Sequence, residues 1–274
     1  MVTVFRNFRA EAREEFMRLM SWLEATTHKT FSLVAQTLPL RAQRMDNSSR
    51  WAAISYPLAE DAEVNFARDR WLALVDVLLF PAFILWFIWR LQFTARWTWV
   101  IFVVWLAASF LLHRDTPTTL GWRADNLWPA TKQAFALYIP MAAALVATGF
   151  FLHAPRHLGP ISVASVGGYF AFCVLQQVAL NSLLHNRMLS LVQNEWVAAG
   201  LTGAVFAACH WPNPVLVPLT IVGGAAMAWM FGRVRNIIPL AIGQTLLGVL
   251  VAWAFPVAWH HHMRVGPGYY SWHP

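Results

Sequence analysis

Apolar residues divide the chain into a polar first quarter and seven long apolar runs. The runs lie at about 71–89, 97–113, 133–152, 161–185, 196–211, 213–232 and 237–259. Each run approaches the roughly 20 residues that an α-helix needs to cross the hydrocarbon core of a bilayer. The pattern therefore predicts an all-α fold, a polytopic membrane bundle of about seven transmembrane helices. The fifth run is short, and Pro212 and Pro214 predict a tight turn after it.

The first 70 residues follow a different pattern, with apolar positions three or four residues apart. The recurring positions are Phe5, Phe8, Ala12, Phe16, Leu19 and Leu23. This spacing predicts an amphipathic helix, because it puts one apolar stripe on a helix whose other faces carry Arg and Glu. The charges between Arg6 and Glu15 exclude the apolar core of a signal peptide. We expect the stripe to pack on the protein itself, on the membrane surface or in the groove of a partner.

Three parts of the chain are therefore expected. Residues 1–70 form a cytosolic amphipathic segment, residues 71–259 a transmembrane helical domain, and residues 260–274 a tail rich in histidine and aromatic residues. The composition agrees with the second part, since 58% of the residues are apolar and only 12% are charged. A soluble domain has roughly a quarter of its residues charged, so we expect lipid to cover much of this protein.

The distribution of charge predicts the orientation in the membrane. Residues 71–274 contain 10 Lys and Arg but only 4 Asp and Glu. The cations that flank the runs on the N-terminal side are Arg68, Arg70, Arg114, Arg123, Lys132, Arg187, Arg233 and Arg235, against Arg90, Arg96, Arg156 and Arg264 on the other side. By the positive-inside rule we expect a cytoplasmic N-terminus and, with an odd number of spans, an external C-terminus. A separate expectation is that the membrane is a bacterial inner membrane. The chain has no basic cluster or motif of the kind that binds nucleic acid.

Several short motifs occur in a fixed order in the second half of the chain. Leu120-Gly121-Trp122 precedes a polar stretch and a new apolar run. Phe206-Ala-Ala-Cys-His210-Trp-Pro-Asn-Pro is followed by a small-residue run with Gly223-Gly224, and then by Arg233-Val-Arg-Asn-Ile-Ile-Pro239. This order and spacing resembles the CPBP family of membrane proteases, also called Abi, which includes CAAX-processing enzymes and bacteriocin-processing or immunity proteins. The resemblance covers roughly residues 75–255.

The residues that carry the family's chemistry are mostly replaced in this chain. The family's first motif is a pair of Glu followed by Arg, and the matching positions hold Gln176, Gln177 and Asn181. Its third motif has His where this chain has Gln244, and Asn or Asp where this chain has Gly248. The resemblance implies that these four amides and His210 line one polar pocket inside the helical core.

The replacements favour a protein without acid–base chemistry. A glutamate inside the bilayer can accept a proton from water, whereas the amide of Gln keeps the shape and the hydrogen-bonding capacity but has no titratable proton. Charged side chains at mid-membrane also cost on the order of 2.5–3.5 kcal/mol each on insertion scales, so neutral amides relieve that cost. We expect a degenerate, catalytically inactive member that acts as a scaffold, assembly factor or accessory subunit of a membrane complex.

Two other functions stay open from the sequence. The first is an active intramembrane peptidase or acyl-transfer enzyme centred on His210, which would need a companion group because a lone imidazole is insufficient. The second is a pigment- or quinone-associated subunit that uses the aromatic spans and the terminal histidines. Besides the lipid bilayer, we expect a membrane-protein partner, bound through the N-terminal amphipathic helix and the Trp-rich surfaces of the spans.

Few other residues are candidates for chemistry. His260, His261 and His262 are weak candidates for binding a metal or a pigment, because consecutive histidines on an extended tail point in different directions. We therefore expect no cofactor. Asp76 and Glu195 are acids near the starts of apolar runs, where both are expected to lie at the membrane interface.

Overall fold

The computed structural model describes residues 60–153 and 163–271, with side chains described from residues 69 and 165 onward in these two ranges. Within them all of the regular secondary structure is helical and there is no β-strand, as the sequence predicts. The predicted amphipathic stripe between Phe5 and Leu23 lies outside the described residues. So do the last three residues of the predicted tail.

Eight helices form the body of the described chain. They are α1 (Glu60–Trp86), α2 (Trp99–Leu112), α3 (Leu127–Phe151), α4 (Val163–Gln177), α5 (Asn186–Val192), α6 (Glu195–Ala208), α7 (Leu216–Val234) and α8 (Ile237–Ala254). A π-helical turn, Phe87–Leu91, extends α1 to Thr94, and a longer π-helical segment, Val178–His185, joins α4 to α5. Two short helices, α9 (Val257–His260) and α10 (Pro267–Tyr270), follow in the tail.

Five continuous helical stretches are long and apolar enough to cross a membrane. They are Asp69–Thr94, Leu127–Phe151, Ser165–Val192, Leu216–Val234 and Ile237–Ala254. Two further apolar helices are shorter, Arg96–Leu112 and Glu195–Ala208. The sequence therefore predicted the helical, membrane-like character correctly. The second and fifth of its seven runs fall on the two shorter helices.

Asparagine side chains begin three of the later helices. Asn194 Oδ1 accepts hydrogen bonds from the backbone N–H groups of Trp196 and Val197, both at 3.1 Å, ahead of α6. Asn213 does the same before α7, and Asn236 before α8. These bonds satisfy N–H groups that a helix start otherwise leaves without partners, so the sequence fixes where each helix begins.

Glycines allow the last helices to pack closely. A Cβ atom added at Gly203 of α6 would lie 2.5 Å from the backbone oxygen of Ile221 in α7. On α8, the ring of Tyr138 from α3 occupies the space where Gly243 has no side chain. Small residues at such crossings let backbones approach, which is how helices associate in a membrane. The buried core lies among these helices and includes Phe231 and Leu240.

The loops collect at two ends of the described bundle. At one end, Thr119 O accepts hydrogen bonds from Asn186 at the start of α5 and from Arg235 in the turn between α7 and α8. At the other end, the tail returns to the turn after α6, where Gly266 N–H donates to Trp211 O at 2.8 Å. The candidate site lies between these ends, on α4, the π-helical segment and α8.

Candidate functional site

Four amide side chains form one hydrogen-bonded chain between α4 and α8. Asn181 Nδ2 donates to Gln177 Oε1, Gln177 Nε2 donates to Gln244 Oε1 at 2.6 Å, and Gln244 Nε2 donates to Gln176 Oε1 at 2.7 Å. Gln177 Nε2 also lies 3.1 Å from the sulfur of Met227. We call Asn181, Gln177, Gln244 and Gln176 the amide chain. The NH₂ group of each amide donates to the carbonyl oxygen of the next one, so the amide dipoles add along the series.

The amide chain is neutral and largely enclosed. Gln177 and Asn181 have no exposed surface, whereas Gln176 and Gln244 are partly exposed. Asn181 Oδ1 is buried and has no hydrogen-bond partner among the described residues. The four residues contain no group that gives or takes a proton near neutral pH. The arrangement can hold helices together and can bind a polar group, but it cannot act as a general base.

The π-helical segment positions Asn181 against Gln177. Seven of its eight residues are buried, which is unusual for a stretch that carries Asn, Ser and His. Its wide turns form i to i+5 hydrogen bonds, a geometry that is rare and occurs often at functional sites. Ser182 Oγ in this segment donates to Leu120 O at 2.6 Å, and His185 is also fully buried. The segment therefore concentrates polar side chains inside the bundle.

His210 lies apart from the amide chain in its hydrogen bonding. Its Nδ1 donates to Phe206 O at 2.6 Å, four residues back at the end of α6, and its ring packs edge-on against the Phe206 ring. Among the described residues no hydrogen bond joins His210 to any of the four amides. Of the five residues predicted to share a pocket, the structure thus links Gln176, Gln177, Asn181 and Gln244 directly. Because Nδ1 carries the proton, Nε2 of the neutral ring is an acceptor.

Tyr169 occupies the space beside Gly248. A Cβ atom added at Gly248 would lie only 2.0 Å from Tyr169 Oη and 2.8 Å from its Cζ. The position at which the resemblance expects Asn or Asp therefore has no room for a side chain. This tyrosine reaches from α4 to α8 one turn away from Gln244, so an aromatic ring fills the region next to the amide chain.

A polar loop covers the cytoplasmic-side end predicted for the bundle. It runs from Asp115 to Asn126 and includes Gly121, whose φ of 82° suits glycine. Gly121 O accepts from Ile237 N–H at 3.1 Å, which fastens the loop to α8. The Arg123 guanidinium hydrogen-bonds the carboxylate of Asp125 and lowers the pKa of that carboxyl. Burial lowers the pKa of Arg235, which reaches the same loop at Thr119.

An ionic cluster lies beside this loop, and the sequence did not predict it. Asp76 of α1 accepts hydrogen bonds from Trp105 Nε1 at 2.9 Å and Ser109 Oγ at 2.5 Å. Arg187 of α5 lies 3.4 Å from Asp76 and also binds Asp115 through two nitrogens. We call Asp76, Asp115 and Arg187 the ionic cluster. Asp76 and Arg187 are each 5% exposed, so Asp76 is a buried partner in this cluster, and its expected place at the membrane interface stays a prediction.

The remaining candidates have local structural partners. Glu195 lies at the start of α6, the helix-start position that the sequence predicts, and it is exposed and pairs with Arg233 at 3.4 Å. His260 accepts at Nδ1 from Met263 N–H and lies 3.2 Å through Nε2 from Phe255 O, while His261 stacks on Tyr269 with ring centroids 4.0 Å apart. No three His, Cys, Asp or Glu side chains gather as metal ligands within residues 69–153 and 165–271.

Comparison of the chain with models of known protein families, with curated proteins and with solved structures finds no match. Membership of the CPBP family therefore stays a prediction. Function must be inferred from the chemistry of the sites, since a fold alone does not determine an activity. The two polar sites are the neutral amide chain and the buried ionic cluster.

Proposed function

We propose that this chain is a catalytically inactive, CPBP-like integral membrane protein that works by binding, as a scaffold, assembly factor or accessory subunit of a membrane complex. One observation carries the proposal. The polar site where the resemblance expects a protease centre is a chain of four neutral amides that hydrogen-bond one another. A general base must hold a pKa near the working pH, and none of these groups titrates there.

Two further observations support an inactive site. Tyr169 fills the place next to Gly248, so the Asn or Asp side chain that the resemblance expects at this position has no room. His210, the one imidazole that the resemblance retains, donates its Nδ1 proton to Phe206 O and has no carboxylate partner among the described residues. A lone histidine supplies too little of the ~8 kcal/mol or more that enzymatic acceleration requires.

We also propose that all seven apolar runs enter the membrane, the five long helices as full spans and α2 and α6 as shorter ones. The N-terminus is then cytoplasmic and the C-terminus external, in a bacterial inner membrane. The basic residues support this orientation, because Arg123, Arg187 and Arg235 lie at the end of the bundle that holds the loop from Asp115 to Asn126. Cytoplasmic ends of spans carry the excess of Lys and Arg.

Association would use the N-terminal amphipathic stripe and the aromatic surface of the spans. Trp196 is 64% exposed and stacks on Trp229, with ring centroids 5.4 Å apart. The Arg233 guanidinium lies over the Trp229 ring, 4.4 Å from its centroid. Aromatic residues with an adjacent arginine are enriched where proteins bind one another and at membrane interfaces. This patch lies next to the cytoplasmic end proposed for α6 and α7.

The test compares two variants of the full chain in its native membrane. Deletion of residues 1–36 removes the amphipathic stripe, and His210→Ala removes the retained imidazole. After gentle solubilisation, we expect the deletion to lower recovery of the tagged chain in large complexes, and His210→Ala to leave recovery nearly unchanged. Peptide turnover is measured on the same samples. A turnover that His210→Ala abolishes while assembly stays intact would overturn the inactive assignment and favour an enzyme.

A further inference from the structure

A cleft of about 300 Å³ lies between α1 and α2, away from the amide chain. Its walls are the apolar side chains of Leu72, Val75, Ile101, Val104, Ala108 and Leu112. Most of these wall residues are exposed on the outer surface of the helices, including Val104 at 61% and Leu112 at 50%. In a bilayer such a surface faces lipid, so the cleft opens sideways into the hydrocarbon region.

The inner side of the cleft is polar. Asp76, Trp105, Ser109 and His113 line it, and the first three are joined by hydrogen bonds within the bundle. Both carboxylate oxygens of Asp76 already accept bonds, Oδ1 from Trp105 and Oδ2 from Ser109 and Arg187. The polar side is therefore narrow, and it can offer a ligand little more than one hydrogen bond.

His113 is the group that can make this bond. Its side chain is only 9% exposed, and its Nε2 has no hydrogen-bond partner among the described residues, although Asp76 Oδ2 is 3.4 Å away. A buried donor whose nearest acceptor lies at 3.4 Å is poorly satisfied, so a ligand oxygen that accepts a shorter bond from it would be favoured. Because neighbouring atoms cover Nε2, a ligand oxygen can reach it only if the ring turns about the Cβ–Cγ bond.

The length of the cleft matches one leaflet of a bilayer. Its wall on α2 extends from Leu112, beside the loop end of the bundle, to Ile101, eleven residues earlier. At 1.5 Å per residue this is about 16 Å, or half of the ~30 Å hydrocarbon thickness. One end of the cleft thus lies at the membrane interface and the other near the midplane. An acyl chain of one lipid spans the same depth.

The volume and the offered hydrogen bond narrow the choice of ligand. A cleft of about 300 Å³ is at the lower limit for ligand sites, so it fits one alkyl chain rather than a large ring system. The imidazole N–H on the polar side needs an acceptor, and the ester carbonyl at the head of an acyl chain is one.

From these observations we propose that the cleft between α1 and α2 binds one acyl chain of a glycerolipid, with its ester carbonyl accepting a hydrogen bond from His113. The lipid comes from the leaflet at the end where α2 finishes. Binding closes a gap in the lipid-facing surface and pairs the imidazole nitrogen. This inference concerns a site separate from the amide chain and does not depend on whether the chain is catalytic.

The test is photocrosslinking of the full-length protein in phosphatidylcholine vesicles. The probe is phosphatidylcholine with a diazirine midway along one acyl chain, and crosslinked residues are mapped by mass spectrometry. We expect labelling to concentrate on the cleft walls at Val75 and Val104. Ala108→Phe fills the cleft and should reduce this labelling to the level of the rest of α2. Ala107→Phe is the matched control, because Ala107 is also exposed but does not line the cleft.

A competition experiment tests the carbonyl. Unlabelled ester lipid should compete about fivefold better than the ether analogue, which corresponds to one net hydrogen bond, and His113→Phe should remove this difference. Labelling that is uniform over all lipid-facing helices and insensitive to Ala108→Phe would overturn the proposal. Stronger competition by a free fatty acid or by a quinone would also overturn it, since either result assigns the cleft a different ligand.

Discussion

Gln177 of α4 donates a hydrogen bond to Gln244 of α8, with 2.6 Å between Nε2 and Oε1, across 67 residues of sequence. Each residue also uses its other amide atom, Gln177 as acceptor from Asn181 and Gln244 as donor to Gln176. Buried amides in a membrane protein must find partners inside the protein. The pair therefore fastens two helices without placing a charge in the bundle.

A carboxylate at position 177 should lower the free energy of unfolding. Gln177→Glu keeps an acceptor for Asn181 but loses the donor to Gln244 Oε1, and it places a charge where no surface is exposed. We expect a loss of unfolding free energy on the order of 2.5–3.5 kcal/mol, measured by detergent-induced unfolding in mixed micelles.

Gln176→Glu is the matched control for that variant. Gln176 is partly exposed and accepts a hydrogen bond from Gln244, which a carboxylate oxygen can also accept. The loss of unfolding free energy in Gln176→Glu should therefore be clearly smaller than in Gln177→Glu. Equal losses for the two variants would mean that the order of donors in the amide chain is wrong.

Gly248→Ala should disrupt the packing of α4 on α8. The added Cβ would lie 2.0 Å from Tyr169 Oη, so the tyrosine must move away from its position. Overpacking of this kind costs about 1–3 kcal/mol, which a thermal unfolding assay detects as a lower midpoint. Gly168→Ala, on the same helix as Tyr169, meets no atom within 4 Å and should leave the midpoint unchanged or raise it. If Gly248→Ala also left the unfolding midpoint unchanged, the close approach of Tyr169 to Gly248 would be wrong.

Loss of Arg187 should lower the free energy of unfolding more than loss of Arg233 does. Arg187→Gln leaves Asp76 and Asp115 buried without their shared cation, and breaking such a buried pair costs about 3–5 kcal/mol. Arg233→Gln removes an exposed ion pair with Glu195, which is worth at most ~1 kcal/mol. The two variants are compared by chemical denaturation in the same detergent. Similar losses would show that the ionic cluster is not desolvated.

Cysteine accessibility tests the proposed orientation. In a background with Cys173→Ala and Cys209→Ala, a maleimide that does not cross membranes should label Ser271→Cys in intact cells, because the proposed orientation puts the C-terminus outside. Ser48→Cys should react only after the membrane is permeabilised. Labelling of Ser48→Cys from outside in intact cells would reverse the orientation. Labelling of both variants in intact cells would contradict an odd number of spans.

Periodicity and hydropathy predicted much of the fold but little of its polar pairing. Each apolar run coincides with a helix because hydropathy is a local property that lipid selects directly. The amides at positions 176, 177, 181 and 244 were found through the resemblance, and the structure joins them. Asp76 and Arg187 are 111 residues apart, so neither the composition nor the spacing indicated that they meet.

His210 shows a second reason why sequence reasoning is incomplete. The sequence around a histidine at the end of a span looks the same whether the side chain faces a polar site or bonds to its own helix. Here the Phe206 carbonyl lies one turn back and accepts the Nδ1 proton, and this local bond competes with any bond across the bundle. Only coordinates distinguish the two cases.

The π-helical segment Val178–His185 has a consequence for how the chain can vary in length. Gln177 precedes this segment and Arg187 follows it, and each must meet partners on a different helix. Removing one residue between them would turn everything downstream by about 100° relative to α4. Arg187 would then leave Asp76 and Asp115. Natural variants of this protein should therefore tolerate substitutions in this stretch far better than insertions or deletions, which would be confined to the loops.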